Sequence, residues 1–243
     1  DVLRDETRWL LSAYFPLGMY AFFEPLVLPP DYVFADSFGG PDRDAADAEN
    51  TSAGGRLQAK WIDTVWEAGY LYRGTEEEHN PYVSLQGHFL VDWYAAAAAR
   101  IPAFNPAAAD LRRGLEISAG LFHISGSPEL GTLTLRLEAL VRPDSPWREA
   151  DSESTVSPDW AARGILLFPE IVFTPSPSVG WVLRSVVSPA DRSAFVSGGL
   201  TWKPYQGFSL LLFLSGMAGE ESDLFGWDRA GGIGCTAGVV YSY

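Results

Sequence analysis

The chain has 243 residues, room for one barrel or sandwich or for two small domains, and 31 acidic against 17 basic residues leave a formal charge of -14. That balance excludes a basic phosphate-binding face, and with it nucleic acid as a partner. A hydrophobic content of 47%, with 14% aromatic residues, excludes a disordered acidic chain, and a single cysteine excludes an internal disulfide framework and a Cys-based zinc site.

The chain begins at Asp1, as a processed secreted protein would, and residues 1–7 read as an N-terminal tail. The most apolar stretch, Trp9 to Leu28, contains Pro16, Gly18, Glu24 and Pro25, which rules it out as a membrane-crossing helix. It reads instead as a first strand over 9–23, with Trp9, Leu11, Ala13, Phe15, Leu17, Met19, Ala21 and Phe23 on one face. A second strand is predicted over 57–72 and a third over 80–96. The third alternates Val83, Leu85, Gly87, Phe89, Val91 and Trp93 against Ser84, Gln86, His88, Leu90, Asp92 and Tyr94.

The fourth strand, 113–125, sets Leu115, Ile117, Ala119 and Leu121 against Glu116, Ser118, Gly120 and Phe122. The fifth, 131–142, sets Leu133, Leu135, Leu137, Ala139 and Val141 against Thr132, Thr134, Arg136, Glu138, Leu140 and Arg142. Further strands are predicted over 162–174, 178–188, 194–204 and 207–217, and Pro169 inside the first of these predicts a kink or bulge.

The final segment runs Ile233-Gly-Cys-Thr-Ala-Gly-Val-Val-Tyr-Ser-Tyr243. Ile233, Cys235, Ala237, Val239, Tyr241 and Tyr243 fall on one face, and Gly234, Thr236, Gly238 and Ser242 fill most of the gaps. Cys235 reads as a small apolar residue on the lipid side. This ending resembles the terminal strand of bacterial outer-membrane β-barrels, in which the aromatic carboxy-terminus, here Tyr241 and Tyr243, is the assembly signal read by the barrel-insertion machinery. The resemblance implies a Gram-negative envelope, location in the outer membrane, and a transmembrane antiparallel up-and-down β-barrel over 8–243. About ten strands are expected, with eight or twelve as alternatives, each near the ~9–11 residues a tilted strand needs to cross a bilayer.

Short links such as 203–207, 174–178 and 125–131 alternate with longer ones, an arrangement in which short turns line one rim and long loops the other. The long loops, near 29–56, 143–161 and 218–230, are acidic. The first holds Asp31, Asp36, Asp42, Asp44, Asp47 and Glu49; the second Asp144, Glu149, Asp151, Glu153 and Asp159; the third Glu220, Glu221, Asp223 and Asp228. Solvated charge on exposed loops accounts for them, and such carboxylates could also share divalent cations with lipopolysaccharide phosphates. No dedicated metal site and no cofactor is expected. Trp9, Tyr70, Tyr72, Tyr82, Trp202, Tyr241 and Tyr243 are expected near periplasmic strand ends, and Trp93, Tyr94, Trp160 and Trp227 near outer ends, as interfacial aromatics.

Charged side chains fall on the face opposite the leucines. Lys60, Asp63, Glu67, His88, Asp92, Glu116, Arg136, Glu138, Arg142, Glu170, Arg184 and Lys203 are the expected lumen lining, as a paired plug or a narrow aqueous path. On one strand, His88 and Asp92 would lie ~13 Å apart and could not touch. Between Gly164 and Phe213 the lumen positions turn apolar, with Leu166, Phe168, Val172, Val182, Val186, Phe195, Leu211 and Phe213. Packing against a folded-in loop is one reading of that half-lumen; a surface that holds or passes a hydrophobic molecule is the other.

Three histidines are too few for a histidine metal cage. His123 and Ser125, two apart on one strand face, are the weak catalytic candidates, as base and nucleophile. The pair resembles the motif of outer-membrane lipid A deacylases and phospholipases. It lies at the short-turn rim, though, with Glu138 on the opposite face and Glu129 in the turn. The expected function is therefore a narrow, porin-like channel or a structural and surface-interaction protein surrounded by outer-membrane lipids, without catalysis. The alternatives are a carrier for a hydrophobic ligand, a lipid-acting hydrolase, and a soluble sandwich or calycin-like barrel with its leucines inside.

Overall fold

A computed structural model describes residues 10–29, 51–104, 114–143, 164–220, 223–227 and 232–241. The chain is all-β, its strands are antiparallel, and it divides into two compact units, residues 1–87 with 96–116 and residues 88–95 with 117–243. Tail residues 1–7, Trp9, Trp160 and Tyr243 lie outside the described residues, as does most of the acidic loop sequence, from Asp31 to Glu49 and from Asp144 to Asp159, with Glu221 and Asp228.

The first unit begins with β1 (Leu11–Ser12) and β2 (Phe15–Pro16), both paired with β3 (Ala21–Leu28). The predicted single strand over 9–23 is thus a hairpin, reversed between Leu17 and Ala21, where Leu17 N–H donates to the Ala21 carbonyl. Next come β4 (Ser52–Trp61), β5 (Thr64–Arg73) and β6 (Glu78–Phe89), each paired with the strand before it. The predicted strand over 57–72 is therefore also a hairpin, turning at Ile62 and Asp63. The predicted strand over 80–96 is cut at Leu90, between β6 and β7 (Val91–Ala98). Both reversals put a residue without turn propensity in the left-handed conformation: Ile62 and Leu90 adopt φ of 54° and 62°. The short β8 (Ile101–Pro102) pairs with the start of β6.

The second unit takes in residues 88–95 and, among the described residues, a meander of β9 (Glu116–Ser127), β10 (Gly131–Val141), β11 (Ile165–Ser176), β12 (Val179–Ser188), β13 (Ser193–Tyr205), β14 (Phe208–Ala218) and β15 (Ile233–Tyr241). These match the predicted strands to within a few residues, because their alternation is bounded by real turn residues such as Gly131 and Gly207, both at φ 80°. Pro169 causes no bulge. It stays in register opposite Leu137, and the irregularity falls instead between Phe173 and Ser176, beside Pro175. Among the described residues there are fifteen strands, twelve of them 8–13 residues long. The expected ten is too low because the chain reverses within three of the predicted strands, the first of which also divides into β1 and β2, and because the short β8 lies between predicted strands.

Each unit has one charged and one apolar face. In the second unit, the row Leu135, Ile171, Leu183, Gly198, Leu214, Cys235 runs across six strands. Its members stand in the open: Leu214 is 52% exposed, Leu183 48% and Ile171 43%. The first unit repeats the pattern with Leu57, Trp66 and Val83 exposed on one side. Among the described residues only Ala99, Leu166, Leu224 and Phe225 are fully buried hydrophobics.

Candidate functional site

The charged face of the first unit is organised by register. Glu24, Arg56, Gly69 and Tyr82 are consecutive partners across β3, β4, β5 and β6. Gly69 leaves a gap in that row, and the Tyr82 ring lies across it; a Cβ at Gly69 would collide with the ring. The Tyr82 hydroxyl thereby reaches Glu67, donating to Oε1 at 2.7 Å. Arg56 bridges the cluster: its Nε donates to Glu24 Oε2 at 2.8 Å and its Nη1 to Glu67 Oε2 at 3.5 Å, with the Phe22 ring 5.5 Å from the guanidinium carbon. Of these, sequence reasoning named Glu67 as a lining charge. It missed Arg56 and Glu24, which the pairing of β3 with β4 makes neighbours.

The second unit repeats the device. The Tyr94 ring lies over Gly120, and its hydroxyl hydrogen-bonds to Glu138, which also pairs with Arg136. Arg136, Glu170 and Arg184 are consecutive partners across β10, β11 and β12, and Arg184 pairs with Glu170. Glu116 and Arg142, at strand ends, each have interaction partners as well. Lys60 is next to last in β4, Lys203 lies near the end of β13, and Asp63 sits in the Ile62 turn.

His88 and Asp92 correct the expectation that they cannot touch. His88 Nδ1 and Asp92 Oδ1 are 2.8 Å apart, because the chain reverses at Leu90 between them; both side chains are largely exposed at the hairpin tip. Tyr70 and Tyr72 also move. The Ile62 turn returns them to the rim of Leu28 and Ser52, next to the long 29–51 link, where both rings pack on His79.

The apolar stretch of the charged face is covered. Leu224 and Phe225 pack on Leu166, Phe168, Val186, Phe195 and Met217. They are held by the turn between β12 and β13. Asp191 Oδ2 accepts from Leu224 N–H at 2.9 Å, Asp191 Oδ1 accepts from Ser193 Oγ at 2.8 Å, and Ser193 Oγ accepts from Phe225 N–H at 3.2 Å. Asp223 is not a solvated loop charge: it is 7% exposed, and its Oδ2 accepts from Glu220 N–H at 2.5 Å. Of the apolar positions expected to line a lumen, Leu166, Phe168 and Phe195 thus lie under this segment, while Val172 and Phe213 sit lower on the same face and are half-buried.

His123 and Ser125 share the apolar face, opposite Leu135 and Leu133. Glu138 is on the other face and Glu129 in the turn, so no carboxylate orients the imidazole from this pair's own rows. Among the described residues no group of three or more His, Cys, Asp or Glu side chains is placed to hold a metal ion. No family model matches the chain, and neither does any curated protein.

Proposed function

We propose that this chain is an integral bacterial outer-membrane β-barrel whose twelve long strands span the membrane, acting as a narrow, largely occluded channel or as a structural and surface-interaction protein. One observation carries the reading: the faces are inverted relative to a water-soluble sheet. Leucine, isoleucine and tryptophan side chains stand open on one side, while the opposite side holds Arg–Glu pairs bridged by tyrosines. A soluble monomer rarely exposes an apolar patch beyond a few hundred Å². Hydrocarbon covers such a wall at no cost, and it penalises a charge there by ~2–4 kcal/mol. The wall includes an open groove of about 560 Å³ over Gly198, between Leu183 and Leu214, which suits lipid chains as its filling.

Narrowness follows from what occupies the charged face. Its side chains are already paired across neighbouring strands, Arg56 with Glu24 and Glu67 and Arg184 with Glu170. The proposed partners are outer-membrane lipids along the wall, the insertion machinery at the Tyr241 end, and divalent cations with lipopolysaccharide at the acidic loops. Refolded protein in a planar bilayer tests the channel. Small, cation-favouring conductance steps are expected, growing when Arg56→Ala removes the bridge between Glu24 and Glu67. A silent bilayer for both proteins would leave only the structural role.

A further inference from the structure

The segment Asp223–Trp227 differs from an ordinary loop in what it covers and in how it is tied. Leu224 and Phe225, 3% and 2% exposed, form the buried centre of the second unit, yet neither belongs to a strand. Their seat is a row of apolar side chains on the charged face, Phe168, Val186, Phe195 and Met217, with Leu166 above them. The next row down is Arg136, Glu170, Arg184, Ser197 and Ser215. Strand hydrogen bonds do not hold the segment there. One carboxylate and one hydroxyl, Asp191 and Ser193, accept its backbone N–H groups.

A buried hydroxyl beside the latch is unmatched. Ser188, opposite Ser193 and wholly buried, has an Oγ with no hydrogen-bond partner. On the flanks, Gly219 packs so closely on Ser193 that a Cβ would meet its side chain, and Gly232 has φ +72° against Trp227.

We propose that Asp223–Trp227 is a displaceable plug, latched by Asp191 and Ser193, and that the seat it vacates binds the chain of a fatty acid. Leu224 and Phe225 occupy the volume that the chain takes, and the carboxylate supplies the acceptor that Ser188 lacks. The proposal concerns the charged face of one unit, so it stands or falls independently of what bathes the apolar wall.

The chain has two methionines, which makes the test direct. Met217 lies under the plug, and Met19 is 86% exposed in the other unit. With 13C-labelled methionine methyls, Asp191→Asn is expected to shift the Met217 resonance and leave Met19 in place. Laurate is then expected to shift Met217 further, binding at least tenfold more tightly than to the natural chain. Phe225→Ala, which shortens the plug and keeps the latch, should give the same result where Asp191→Asn does not fold. If neither variant moves Met217, there is no displaceable plug. If Met217 moves but saturating laurate adds nothing, the seat is not a fatty-acid site, and the proposal is overturned.

Discussion

Tyr82 lies across Gly69 because that position lacks a side chain, and only from there does its hydroxyl meet Glu67. Gly69→Ala should therefore destabilise the protein by ~1–3 kcal/mol through overpacking, and Tyr82→Phe by ~1 kcal/mol through the lost hydrogen bond. Urea unfolding of lipid-refolded protein measures both. The two sites are coupled: in a Tyr82→Ala background the cost of Gly69→Ala should shrink to near zero, and a cost that persists would mean the ring does not need the gap. Tyr94 over Gly120 repeats the arrangement on β7 and β9, again ending on a glutamate paired with an arginine. Such a contact lies beyond sequence reading. Gly69 and Tyr82 are thirteen positions apart, and only the pairing of β5 with β6 sets one against the other.

Among the elements, the tight hairpins are strained where the sequence offers no glycine or asparagine. Ile62 and Leu90 sit at positive φ, at 54° and 62°, and are 74% and 79% exposed. Replacing Ile62 by Asn removes a left-handed β-branched residue without removing packing, so stability should rise by ~1 kcal/mol; a loss in urea unfolding would contradict that account of the turn. The same two residues explain how much of the fold was legible. From β9 to β15 the alternation is clean, the turns carry Gly131 and Gly207, and the strands were readable almost to the residue. Towards the amino-terminus the alternation runs straight through the reversals at Leu17–Ala21, Ile62 and Leu90, so three hairpins looked like three strands. Misreading the Leu90 reversal also separated His88 from Asp92. The plug was hidden for a different reason. Leu224 and Phe225 follow Glu220, Glu221 and Asp223, and a short apolar pair in an acidic stretch carries no periodicity.

For the molecule as a whole, the sign of a surface substitution separates the two media. Leu137, 46% exposed on β10, faces the same side as Leu121. If hydrocarbon bathes that side, Leu137→Arg should cost ~2–4 kcal/mol and reduce refolding into bilayers. If water does, the same change should be near neutral for stability and should improve solubility. The paired charges on the opposite face predict the complementary insensitivity: conservative changes there should alter conductance before they alter insertion.

The lone cysteine offers the most direct measurement. Cys235 is exposed on β15, in the same row as Leu214 and Leu183, and no competing thiol exists in the chain. A small fluorophore attached to it in liposome-refolded protein should be quenched by spin labels carried on the lipid acyl chains and ignored by iodide in the water. Strong iodide quenching with no response to the lipid-borne label would put that wall in water, and the membrane-spanning account would be wrong.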